Sequence, residues 1–423
     1  MKIKKLKIEN FRAIEHLDLD CSDSFNVFIG DNGVGKSTII KAIEILYSWF
    51  SARIKSSADR GSYISEKDIR WGAPYAILSI AIEHNGIEAQ WTLVKARAGY
   101  KDEIPAKNDY SELKRFSQYY TTEIEEKGEL NWPIMTFYGV NRNVQRMYLQ
   151  GKKKKKGEPK FSFFSLYDST HLRGTDWHGL FNWFVESEND ENRMRVEFSN
   201  DYRDAGLECV RKCMAAVFPT FSSIRVASNP TRIVIEKEDM LLNFADLSDG
   251  EKCYISLICD LARRMTLAAS DTDNDTQLFL VDEVDLHLHP NWQLNVIDNL
   301  RKAFPKCQFF LTTHSSLILS GLDVRNGDEL IALKNGRRRE ISSSPYGDSS
   351  DYILKRFYAM DLNRNSEVDK LISCIKEELK KDKPNIGFVE DKLNWLRDNE
   401  VEFDEKYVLS LKLMKAKKNA ENR

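Results

Sequence analysis

Gly30-Asp31-Asn32-Gly33-Val34-Gly35-Lys36-Ser37 fits G-x-x-x-x-G-K-[ST] in full, and its flanks constrain the fold further. Before it stands Phe25-Asn26-Val27-Phe28-Ile29, mostly apolar and ended by glycine, the pattern of a strand buried on both faces. After it, Ser37 to Phe50 carries Ile39, Ile40, Ile43 and Leu46–Tyr47 on one side, the pattern of an amphipathic helix. Strand, glycine loop and helix in this order predict a phosphate site. Glycine lets backbone N–H groups turn inward where a Cβ would intrude. A helix starting near Lys36 aims the positive end of its dipole at an anion. Lys36 is expected to reach β- and γ-phosphates, Ser37 to ligate Mg²⁺ and Thr38 to bond the α-phosphate. Every residue from Gly30 to Thr38 is thus a candidate nucleotide contact.

Leu278-Phe279-Leu280-Val281 runs straight into Asp282-Glu283. Four apolar residues ending in two carboxylates can be a strand-end acidic turn. In a nucleotide site, Asp282 would hold Mg²⁺ and Glu283 would polarise the attacking water. His314 follows the apolar Phe309-Phe310-Leu311 through Thr312-Thr313, one strand downstream of the carboxylates. From there a histidine can hydrogen-bond the γ-phosphate and that water. Leu247-Ser248-Asp249-Gly250-Glu251-Lys252 has the form of a capping box, with Ser248 as N-cap and Glu251 three residues on. It reads as a helix start, or as a helix tip whose Ser248 and Gly250 N–H cap the γ-phosphate of a second subunit. His287 and His289, beside Asp285 and Pro290, read as part of the loop after the carboxylates rather than as a metal cluster.

The rest of the chain sets bounds. Its 423 residues allow two to four units, or one large domain with an insertion. With 42% hydrophobic and 30% charged residues a packed core is expected. A formal charge of −2 excludes a uniformly basic nucleic-acid coat, although Lys152 to Lys156 makes a local basic run that can touch DNA. No apolar stretch of about 18 residues is present, so no membrane-spanning helix is expected. The N-terminus lacks the apolar run of a secretory signal. Seven cysteines, an odd number without CxxC, fit a reduced cytoplasm. Further strands are expected at Met1–Leu6, Leu17–Leu19, Tyr75–Ile82, Ala89–Lys95, Ile134–Tyr138, Ile224–Ile235 and Cys307–Leu311, with mostly helical structure over 161–220 and after Ser350.

The ordered motifs resemble those of the ABC-type ATPases of the RecF, SMC and Rad50 branch. Ile8-Glu9-Asn10-Phe11-Arg12 is similar to that branch's first hairpin, where an arginine approaches the nucleotide, which makes Arg12 a candidate. The resemblance also implies roles for Asp285, in the loop after the carboxylates, and for a glutamine touching Mg²⁺, here Gln145. It implies an α/β fold: an ABC-type ATPase head, that is a P-loop NTPase with a mixed sheet and a helical lobe, plus a short C-terminal helical region. The head is expected over 1–345 with the lobe at about 145–225, and a partner-docking or dimerisation region over 346–423. ATP and Mg²⁺ are the implied cofactors. The gap between Thr38 and Ser248 is too short for long coiled-coil arms and lacks sustained heptads. A signature with Asp249 and Glu251 departs from that of transporter ATPases. Phe388-Val389-Glu390-Asp391 faintly echoes the start of a Toprim nuclease domain, but too little chain follows, so no nuclease of its own is expected. The pattern looks most like the ATPase subunit of bacterial Septu anti-phage systems. That likeness implies a homodimer or larger assembly, a separate HNH-type nuclease subunit and contact with DNA or a retron nucleoprotein. The alternative is a RecF-like DNA-repair clamp.

Overall fold

A computed structural model describes residues 1–100, 104–127, 133–142, 177–228, 231–268, 276–341, 343–358, 366–381, 384–399, 401 and 407–413. Two compact units divide the chain, Met1–Ile353 and Leu354–Arg423.

The first unit is built on a ten-stranded mixed sheet. Its parallel half follows from apolar runs that can be buried on both faces. Strand β3 (Phe25–Ile29) is fully buried. It lies parallel to β11 (Gln308–Thr312) on one side and to β12 (Glu329–Lys334) on the other. Beyond β11 come β10 (Leu278–Val281) and β6 (Met135–Tyr138), both parallel. Phe25 stacks on Phe309 with ring centres 4.9 Å apart, and Phe28 on Phe310 at 6.1 Å, so the aromatic pairs fix the register of β3 and β11. The other half is antiparallel: β1 (Lys2–Phe11), β2 (Ile14–Asp20), β4 (Tyr75–His84) and β5 (Ile87–Ala96). A hairpin of β12 and β13 (Arg337–Arg339) joins the halves through β2.

Helix α1 (Lys36–Lys55) is buried along most of its length and lies against α2 and strands β1, β4 and β11. Its Tyr47 hydroxyl donates to Pro133 O at 2.8 Å and accepts from Met135 N at 3.1 Å, tying the helix to β6. Helix α2 (Ser111–Lys127) packs on β5, an element the sequence reading had not identified. Next come α3 (Trp177–Glu197), α4 (Ala205–Val217) and a separate three-stranded antiparallel sheet of β7 (Phe221–Ala227), β8 (Arg232–Lys237) and β9 (Met240–Asn243). The single strand expected over Ile224–Ile235 is two strands of a hairpin. Helices α5 (Asp249–Ala268), α6 (Pro290–Ala303) and the short α7 (Ser316–Leu319) complete this unit, and α8 (Ser350–Phe357) spans the division.

The second unit holds α9 (Ser366–Leu379), α10 (Ile386–Asp398) and a last turn at 407–413. Ile375, Val389, Leu393 and Leu396 make its own small core. Among the described residues no helix is long and apolar enough to cross a membrane.

Candidate functional site

Strand β3 delivers the chain to Gly30, and α1 begins at Lys36 after Gly35, whose φ is 115°. No side chain caps this helix, so its start is of the kind that can receive an anion. A Cβ on Gly35 would stand 2.5 Å from Ile14 Cδ1, which shows how closely the β1–β2 hairpin leans on the loop. Lys36 is buried, and its ammonium donates to Gly30 O at 2.7 Å and Asp31 O at 2.9 Å. Burial pulls its pKa down, against the charges of Glu283, Asp282, Asp31 and Asp285.

The parallel order β3, β11, β10 brings the ends of three strands together, the edge where open α/β sheets hold ligands. Asp282, just past β10, accepts from Ser37 Oγ at 3.0 Å and from Thr312 Oγ1 at 2.5 Å. Residues 245 positions apart thus share one polar cluster. Glu283 has φ 49°, and its N–H donates to Thr312 Oγ1 at 2.7 Å. Thr312 therefore orders both acidic residues, a role the sequence reading missed. The signal for it was the hydroxyl directly after an apolar strand. Arg142 was missed too. It is buried, and its guanidinium donates to Asp282 O at 2.6 Å. A hydroxyl and a carboxylate 3.0 Å apart, beside a loop of backbone amides and a lysine, are the hard oxygen donors and cationic groups that fit a nucleotide with Mg²⁺.

Asp285 turns inward. Its Oδ1 accepts from Thr313 Oγ1 at 2.6 Å and from His314 N at 3.3 Å. Ser315 Oγ then donates to Gln293 Oε1 at 2.6 Å. The turn carrying His314 is thereby anchored to the loop that follows the carboxylates. His289 caps α6, its ring Nδ1 accepting from Asn291 N at 3.3 Å.

The Ser248 segment forms a closed capping box at the tip of α5. Ser248 N and Oγ both donate to Glu251 Oε2, at 3.0 and 2.9 Å, and Glu251 N donates back to Ser248 Oγ at 3.3 Å. Lys237 pairs with Glu251 at 2.9 Å and Lys252 with Asp249 at 2.9 Å. Ser248 and Asp249 remain exposed. A Cβ on Gly250 would stand 2.2 Å from His287 O, so the tip is pressed against the loop after the carboxylates within one chain. Arg12 Nε donates to Asp68 Oδ1 at 2.7 Å, beside the hairpin that touches Gly35. Burial raises the pKa of Asp68, yet the bonds from Ser65 and Arg12 outweigh it and hold the carboxyl below its usual range. Gln145 and Lys152 to Lys156 lie outside the described residues.

Two families match the chain: one described as an AAA domain over residues 5–208, and one described as an AAA domain, putative AbiEii toxin, Type IV TA system, over 163–320. Retron Ec83 probable ATPase of Escherichia coli is 26% identical, over 89% of this chain and 79% of that protein. Retron Vc95 probable ATPase of Vibrio cholerae is 24% identical, over 76% and 71%. Septu protein PtuA of Bacillus mycoides is 25% identical, over 93% of this chain and 50% of that protein, so the chain spans half its length. Among solved structures, the SMC head domain from Thermotoga maritima gives a TM-score of 0.45 at 18% identity, covering 81% of this chain and 100% of that one. With its phosphate loop, acidic strand end and mixed sheet, the chain has a P-loop ATPase fold matched in part by the two AAA-domain models, and it is similar to the retron ATPases and Septu PtuA.

Proposed function

We propose that this chain is the ATP-binding and ATP-hydrolysing subunit of a bacterial anti-phage defence complex, and that it works as an ATP-driven dimer regulating a separate HNH-type nuclease. The observation that carries the ATPase half is the cluster of Lys36, Ser37, Asp282 and the Glu283 backbone around Thr312. In this reading the loop amides and Lys36 bind the triphosphate. Ser37 and Asp282 hold Mg²⁺, which when bound neutralises phosphate charge. Glu283 accepts a proton from the attacking water, and His314 orients that water beside the γ-phosphate. Ser248 and the Gly250 N–H come from a second copy, and the exposed capping box supports that assignment.

The defence half is supported by the retron and Septu relatives, which match over 76–93% of the chain. The RecF proteins of Geobacter sulfurreducens and Geotalea daltonii match over only 25% and 35% of it, so the repair-clamp reading has the narrower support. The test is a phage challenge of cells carrying this gene with its neighbours, alongside co-purification with the product of a neighbouring HNH nuclease gene. Protection that disappears in Lys36→Ala, together with a stable complex, is the expected result. Protection that is unchanged in Lys36→Ala would remove ATP from the mechanism.

A further inference from the structure

Arg142 lies just after β6 and is 2% exposed. A guanidinium at that depth must be hydrogen-bonded. It is bonded to carbonyls: Nη1 donates to Asp282 O at 2.6 Å and to Gly139 O at 3.3 Å, and Nη2 donates to Glu283 O. A planar fork suits two successive peptide oxygens, and a single ammonium does not. The carbonyl of Arg142 accepts in turn from the Trp177 indole at 3.1 Å, at the start of α3, and from Cys253 Sγ at 3.7 Å, on α5. One residue therefore joins α3 and α5 to the turn that carries both carboxylates. The turn requires such a hold, because Glu283 has φ 49°, a left-handed backbone that a residue with a Cβ seldom adopts unaided. Thr312 fixes the N–H of Glu283 and Arg142 fixes its C=O.

We propose that Arg142 is a positioning residue that locks Glu283 in this conformation, aims its carboxylate, and links helices α3 and α5 to it. The proposal rests on Glu283 serving as the proton acceptor, as argued above. It is tested by a double-mutant cycle on the full chain: wild type, Glu283→Gln, Arg142→Met, Arg142→Lys and the two combinations. The readouts are kcat, KM, affinity for a non-hydrolysable ATP analogue, and thermal melting. Each Arg142 variant should lose about 100-fold in kcat, while analogue affinity stays within about 3-fold of wild type. In the Glu283→Gln background the same substitutions should lower the residual turnover no further. A double mutant showing the product of the two single losses overturns the proposal, and so does Arg142→Lys turning over at the wild-type rate. A fall in analogue affinity as large as the fall in kcat overturns it as well. If Arg142→Met melts near assay temperature, the Arg142→Lys cycle decides. If Glu283→Gln alone turns over normally, the reading of Glu283 fails and the proposal falls with it. A slow Glu283→Gln with a multiplicative cycle sinks the proposal only.

Discussion

Lys36 sits where two opposing influences meet. Burial favours its neutral form, while Glu283, Asp282, Asp31 and Asp285 favour the cation. Its ammonium is held by Gly30 O and Asp31 O, acceptors that phosphate oxygens can replace with stronger, charge-assisted bonds. Lys36→Ala should therefore weaken nucleotide binding by about 3 kcal/mol, or about 100-fold, measured by fluorescent-nucleotide titration. Tight binding by that variant would contradict the assignment of the phosphate loop. Thr312 tests a different step. Its hydroxyl joins Asp282 Oδ1 and Glu283 N, so Thr312→Val leaves both without that partner at nearly constant volume. We expect kcat to drop by about 10- to 100-fold with KM little changed, and Thr312→Ser to restore most of it. The Asp-Glu pair and the lysine loop were legible because their chemistry is compact in sequence. Thr312 and Arg142 were not, because their value depends on strands that meet only after β6, β10 and β11 pair.

Pairing of elements sets the pH response. His84 at the end of β4 lies against Tyr120 of α2, its Nδ1 hydrogen-bonded to the Tyr120 hydroxyl. Burial, with the N-terminal ammonium adding repulsion, pushes the His84 pKa down to about 2. The unfolded chain binds this proton near pH 6.5 and the folded chain does not. Stability from this site is thus complete above about pH 6.5 and falls as the pH drops toward the folded value, by about 1.4 kcal/mol per unit. Urea unfolding at pH 7 and pH 5.5 should show His84→Gln losing less stability than wild type between the two. Equal losses would show that His84 is protonated in the folded chain. Some of these elements were not legible. Helix α2 is polar on average and, among its described residues, buries only the hydrophobic side chains of Leu113, Phe116 and Tyr120, and it packs on β5. The β12–β13 hairpin did carry its signal. Asn335-Gly336, both with positive φ (51° and 74°), is the two-residue turn that twisted hairpins favour.

At the scale of the whole molecule, the carboxylates and the His314 turn are held together within one chain, while Ser248 and Asp249 at the tip of α5 stay exposed. If two copies pair about a two-fold axis, each phosphate loop faces the partner's tip, and the two composite sites are equivalent. Complementation tests this arrangement. Lys36→Ala removes the loop function and keeps the tip. Ser248→Arg blocks the exposed tip and keeps the loop. Each homodimer should be inactive. Mixed in equal amounts, half of the dimers are hybrids, and in each hybrid one of the two sites combines an intact loop with an intact tip. ATPase turnover should then recover to about one quarter of wild type. The recovery should grow with protein concentration, because it requires association. Equal mixtures that stay inactive at every concentration, although each variant pairs as wild type does in sedimentation, would show that the tip does not complete a neighbour's site. Activity of Ser248→Arg alone would show that one chain hydrolyses ATP unaided.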